Sequence, residues 1–182
     1  GWGWNIVGLS TITRGGKSKE IDGLTIGPQF NEGDHFYLDG QRLIKNSDNT
    51  YSTEKFSKIK ITKPSTGEFS FIIQYTDGRI AKYKELTIGQ HYISTFVDSF
   101  NNEIHYTYLV ENNTPRITKV SYGGTSSSND KFYIDFVYKA RKKNIQIYRN
   151  GIAYINSKVL SEISSGSTYS SLYRKYVLTH DF

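Results

Sequence analysis

Apolar and polar residues alternate along most of the chain with a period of two. Phe69, Phe71, Ile73 and Tyr75 share one face of an extended segment. Ile104, Tyr106, Tyr108 and Val110 share another, and Phe132, Ile134, Phe136 and Tyr138 a third. Successive side chains of a strand point to opposite faces, so this spacing buries one side of a sheet and leaves the other to solvent. Turn dipeptides punctuate the runs: Asp39-Gly40, Asp77-Gly78, Asn101-Asn102, Asn112-Asn113 and Asn150-Gly151. Asp-Gly and Asn-Gly between apolar flanks mark tight hairpins, because both central residues must tolerate positive φ. Turn signals at intervals of roughly 8–12 residues predict an all-β, antiparallel fold with little helix, sandwich-like or an open curved sheet built of hairpins.

The strands expected are Asn5–Thr13, His35–Leu38, Gln41–Lys45, Ser57–Lys63, Glu68–Tyr75, Arg79–Leu86, Tyr92–Asp98, Glu103–Val110, Arg116–Tyr122, Lys131–Lys139, Asn144–Tyr148, Ile152–Ser157 and Leu172–Thr179. Gly15–Gly33 holds five Gly and a Pro and reads as a loop, as does the Gly/Ser/Thr-rich Gly123–Asp130. Lys158–Ile163 fits either a strand or a short turn of helix. The basic run Lys139–Lys143 reads as a solvated bend between two strands. Residues 76–87 and 98–124 are weakly self-similar, each an acidic turn beside an aromatic strand, and the second is similar to a YD-type repeat unit.

Composition narrows the class. A chain of 182 residues suits one domain and buries enough surface to need no staple. Fifteen Tyr and ten Phe, with Ile, Val and Thr, favour a pleated half-buried surface. No Cys is present, which excludes disulfides, thiolate metal sites and a Cys nucleophile. No stretch approaches the ~20 apolar residues of a membrane helix, so no membrane span is expected. There is no Met, so the native chain is expected to begin upstream. The net charge of +6 raises nucleic acid as a partner, but the cations are dispersed and none is expected.

Candidate chemistry is sparse. His35, His91, His105 and His180 show no metal-ligand spacing, and no metal or cofactor is expected. Asp98–Glu103 superficially resembles a calcium loop but lacks its alternating pattern; a hairpin with a polar tip is the better reading. No Ser lies in a Gly-x-Ser-x-Gly elbow, and no Ser–His–Asp set is ordered by spacing. Trp2 and Trp4 at a strand entry read as core anchors; the alternative is an aromatic platform on a glycan-binding β-sandwich. Arg14 and Arg42 lie in or beside the opening strands. Each has a fork of donors able to bridge neighbouring loops, or else ends a strand in solvent.

Two dense blocks carry a resemblance. The first is Gly1, Gly3, Trp4, Ile6, Leu9, Ile12 and Arg14; the second is Asp34, Phe36, Leu38, Gly40 and Leu43. Further on, Tyr148-Arg-Asn-Gly151 is followed by Lys158-Val-Leu160. In this order they resemble the SpvB-type domain at the head of insecticidal toxin complex B components and other RHS (YD-repeat) proteins. The resemblance implies a single β-rich domain fragment over residues 1–182, without the upstream strands, β-propeller and RHS repeats of that family. It marks Gly3, Trp4, Arg14, Asp34, Leu38, Gly40, Arg42 and Gly151 as structural motif residues, none of them catalytic.

The resemblance also implies a secreted, non-enzymatic shell module that helps to encapsulate or deliver a toxin cargo. Its partners would be the rest of a larger polypeptide or toxin partner subunits. In that family the enzyme, where there is one, lies in a separate C-terminal domain. An ADP-ribosyltransferase would need a Glu-x-Glu, and this chain has none.

Overall fold

The computed structural model describes residues 6–169 and 172–180. The expected Trp4 anchor and Gly3 lie outside them. Among the described residues, thirteen antiparallel strands follow one another in sheet order, and the chain divides into two compact units.

The first unit comprises Gly8–Ser94 with Tyr148–Ile152. Its strands are β1 (Thr11–Gly15), β2 (His35–Leu38), β3 (Gln41–Lys45), β4 (Thr50–Thr53), β5 (Ile59–Thr62), β6 (Phe71–Tyr75), β7 (Ile80–Thr87) and the start of β8 (Gln90–Val97). Each pairs with the next, and β1 also pairs with β8, Thr11 opposite Tyr92 and Thr13 opposite Gln90. The sheet therefore closes into an eight-stranded barrel. Alternate residues point inward: Ile12, Phe36, Leu43, Tyr51, Ile61, Phe71, Ile73, Ala81, Tyr83 and Ile93 are buried. A barrel of eight strands is just wide enough for such side chains to fill.

The second unit holds the end of β8, from Thr95, and β9 (Glu103–Glu111), β10 (Thr114–Gly124), most of β11 (Phe132–Arg149), most of β12 (Ile152–Ser167) and β13 (Leu172–Val177). These strands are long and more exposed. β9 and β10 pair from Glu111–Thr114 to Glu103–Gly124, with two register shifts. The core here is thinner, with Val97, Ile117, Tyr154 and Val159 buried.

Sequence expectations for β2 and β3 agree with the structure to the residue. Several others shift. The expected bend at Lys139–Lys143 lies inside β11, and the two strands expected on either side of it are one. A charge run exposed at every position but Arg141 can continue a strand whose faces are both in water. The strand β4 escaped detection because its buried residues are Tyr51 and Thr53, and a threonine carries no apolar signal. Lys158–Ile163 is strand, within β12. The first expected strand, Asn5–Thr13, begins only at Thr11 and runs on to Gly15.

The Gly15–Gly33 connection contains a four-residue helix, α1 (Lys19–Asp22). Gly23, with φ of 75°, ends it by returning its N–H to the Lys19 carbonyl at 3.1 Å. Lys17 and Ile26 form an isolated bridge across this loop. A side chain at Gly16 would put its Cβ 1.8 Å from the Ile26 carbonyl oxygen, so the close approach requires glycine.

Candidate functional site

Inside the barrel, near the end of β1 and the start of β8, four rings meet. Phe36, Tyr51, Phe71 and His91 lie edge to face with centroids 4.9–5.9 Å apart. This geometry sets the positive edge of one ring against the negative face of the next. The Arg14 guanidinium carbon stands 5.2 Å from the Phe36 centroid and Lys63 Nζ 6.0 Å from it. A polar cleft of about 300 Å³ opens here, lined by Lys63–Ser70 together with Lys84, Glu85 and His91.

His91 is 3% exposed, and burial lowers its pKa from 6.5 to about 4, with Lys63 and Arg14 adding to the fall against Glu85. It is therefore neutral at neutral pH. Its Nδ1 lies 2.8 Å from Ser70 Oγ, and Ser70 Oγ donates to the Tyr83 carbonyl at 3.1 Å. A serine has one hydrogen to give, so His91 Nδ1–H is the donor and Ser70 the acceptor. This wiring runs opposite to an activated serine, whose hydroxyl would donate to the imidazole.

The second unit holds another grouping of the same residue types. His105 Nδ1 lies 2.9 Å from Asp130 Oδ2, and His105 Nε2 lies 2.8 Å from Glu103 Oε2. Ser121 Oγ donates to the same Asp130 oxygen at 2.5 Å. The serine hydrogen goes to the carboxylate and not to the histidine. The group ties β9, β10 and the 123–130 loop together rather than arming a nucleophile. Among the described residues, no group of three or more His, Asp or Glu is placed to hold a metal ion. Nor, among them, is any helix long and apolar enough to cross a membrane.

The motif residues named from sequence fall into two sets. The first anchors the long loop. Asp34, its side chain 3% exposed, accepts from the Gln29 N–H at 3.0 Å and the Phe30 N–H at 2.6 Å, and lies 3.8 Å from Arg14 Nε. Arg42 Nη2 lies 3.0 Å from Asp22 Oδ1 and 2.8 Å from His35 Nε2. The Ser18 N–H foremost, with Arg42 adding to it against partial desolvation, holds the Asp22 carboxyl below its ordinary pKa. Both arginines thus bridge to loop carboxylates.

The second set shapes hairpins. Asp39 and Gly40 have φ of 48° and 85°, and Asn150 and Gly151 have 45° and 77°, the double positive φ of a type I′ turn. Leu38 pairs with Gln41 at the first of these turns and with Ile12 across β1. Asp39 also accepts from Ser10 Oγ and from the Thr11 N–H, each at 2.7 Å.

Sequence reasoning missed Asp22 and the function of His91. An acid followed by Gly23 signals a helix end, which points to Asp22. Nothing local points to His91, whose ring meets Phe71 of β6 and Phe36 of β2 and whose Nδ1 meets Ser70, 21 residues back in the chain.

No protein-family model matches the sequence, and no curated protein matches it. Solved structures do. The N-terminal domain of effector protein SpvB from Salmonella typhimurium strain LT2 superposes with a TM-score of 0.76 at 15% identity, over 95% of this chain and 82% of that one. The chain has the SpvB N-terminal fold. TcdB2-TccC3 gives 0.73 at 14% identity, over 94% of this chain and 13% of its own. The Tc holotoxin pore of Photorhabdus luminescens gives 0.73 at 13%, over 95% and 12%. The chain thus spans about an eighth of the Tc polypeptides it matches.

Proposed function

We propose that this chain is a non-enzymatic structural module of a secreted toxin-complex-like protein, forming part of a shell wall that encloses or delivers a toxin cargo. The observation that carries the reading is the superposition of 94–95% of the chain on SpvB and on Tc assemblies. Fold alone does not assign function. The side-chain wiring supports the same reading: in both Ser–His groupings the serine hydrogen is spent on a carbonyl or a carboxylate. The partners on this reading are the rest of a longer polypeptide and toxin subunits. RHS repeats and a role in virulence belong to the same proposal.

Two measurements test it. Cryo-electron microscopy of the polypeptide that the gene encodes should place this barrel in the wall of a closed shell; an isolated, freely tumbling barrel would overturn the assignment. The purified chain should not turn over NAD, simple esters, glycosides or nucleotides. Turnover abolished by Glu103→Gln would make it an enzyme instead.

A further inference from the structure

At one mouth of the barrel the inner rows of three strands end in polar residues. Alternate residues of a strand share a face. On β7 the inner row runs Ala81, Tyr83 and then Glu85; on β8 it runs back from Ile93 to His91; just beyond β5, Lys63 follows Ile61. All three line the cleft of about 300 Å³ described above. Barrel mouths and clefts of this size are where small molecules are held. Each of the three has bonding capacity left. His91 gives its Nδ1–H to Ser70, so its Nε2 presents a lone pair; that nitrogen is buried and has no hydrogen-bond partner. A buried acceptor without a donor is costly. Glu85 accepts the Gly89 N–H at 2.7 Å through one oxygen, which leaves the other. Lys84 is engaged by Glu68 and Arg14 faces Asp34, whereas Lys63 meets no carboxylate among the described residues. Lys63 Nζ and the His91 ring centre both lie within 6.0 Å of the Phe36 centroid, so the cation and the lone pair flank one ring.

We propose that this mouth binds a small zwitterion of the free α-amino-acid class, its ammonium taken by Glu85 and His91 Nε2 and its carboxylate by Lys63. An ammonium carries three N–H donors and no acceptor, which suits a wall with two acceptors to fill. A hydroxyl has one hydrogen to give and serves only one of them. Charge sets the selectivity. A carboxylate without an ammonium leaves Glu85 facing an anion, and an amine without a carboxylate leaves Lys63 facing a cation; unpaired charges of this kind reject the wrong ligand. A metal ion fits less well, because Lys63 repels it and, among the described residues, no three His, Asp or Glu converge on one point. Bulk water does not touch Nε2, so an entering ammonium displaces part of the wall. Residues 65–68, exposed and outside any strand, are the part free to yield.

The test uses the 182-residue chain and three compounds on one skeleton: L-serine, serinamide, which lacks the carboxylate, and glycerate, which has a hydroxyl in place of the ammonium. The imidazole nitrogen resonances of His91, followed by NMR near neutral pH, read the site directly. L-Serine should move the Nε2 resonance, leave the proton on Nδ1, and bind about tenfold tighter than either analogue. Lys63→Gln, a change at an exposed position, should bring L-serine down to the affinity of serinamide and leave serinamide unaffected. Glu85→Gln, also at an exposed position, should remove the preference over glycerate. Unchanged amide spectra elsewhere in the barrel show that both variants fold. A His91 Nε2 resonance that none of the three compounds moves would overturn the proposal and leave the nitrogen to ordered water. Glycerate binding as tightly as L-serine would overturn it too, because the occupant would then be a hydroxylated anion. So would L-serine binding that survives Lys63→Gln undiminished.

Discussion

His91 is where a single residue sets a solution property. Its folded pKa of about 4 lies below the ordinary 6.5, so the unfolded chain binds the proton more readily between those values. The associated stability is fully present above pH 6.5 and is lost as the pH falls toward about 4. The loss by pH 4 amounts to about 3 kcal/mol on a linkage calculation. Urea titrations at about pH 7 and about pH 4.5 should show it, and His91→Gln should flatten that part of the profile. An unchanged slope in the variant would place the sensitivity elsewhere. Asp22, Asp77 and Asp98, all held below their ordinary values by hydrogen bonds, act lower on the pH scale and with the same sign. Their contribution vanishes as the pH falls through their folded values.

At the level of the element, hairpins were legible and loops were not. Asp39-Gly40 and Asn150-Gly151 could be read locally, because a two-residue turn is specified by its own backbone. Alanine at Gly40 or Gly151 meets no neighbour within 4 Å, yet it must adopt a φ of 85° or 77°. Each should cost about 1 kcal/mol, seen as a shift in denaturation midpoint; a neutral result at both would contradict the turn type. The Gly15–Gly33 segment was opaque because its order comes from partners elsewhere. Asp34 at the foot of β2 holds only the last turn of the loop, four and five residues back, whereas Arg42 lies on β3 and only the folded barrel brings it to Asp22. Asp34→Ala should leave the Gln29 and Phe30 amides without their acceptor and speed their hydrogen exchange about tenfold or more. Unaltered exchange there would mean that the loop is held by other contacts. The 139–143 run shows the opposite difficulty. Its charges suggested a break, but a ribbon wetted on both faces needs no apolar alternation to continue.

For the whole molecule, the feature hidden from the sequence is closure. Alternation specifies which face is buried, and a sandwich, an open sheet and a barrel all satisfy it. What distinguishes the barrel is the seam between β1 and β8, reinforced by the Arg14 N–H to the Gly89 carbonyl at 2.7 Å. Ile12 sits at that seam fully buried. Ile12→Ala should cost about 2–5 kcal/mol by denaturant titration, as other large-to-small core changes do, and a loss below about 1 kcal/mol would show the seam to be incidental. The same seam has a bearing on synthesis. Thr11 and Tyr92 are about eighty residues apart, so at roughly 5–20 residues per second β1 leaves the ribosome ~4–16 s before its second partner exists. During that interval β2 can cover one side of β1 while the other stays open. Thr11, Thr13 and Arg14 on that waiting strand keep it polar, which suits a nascent chain that must stay unaggregated until β8 arrives to close the ring.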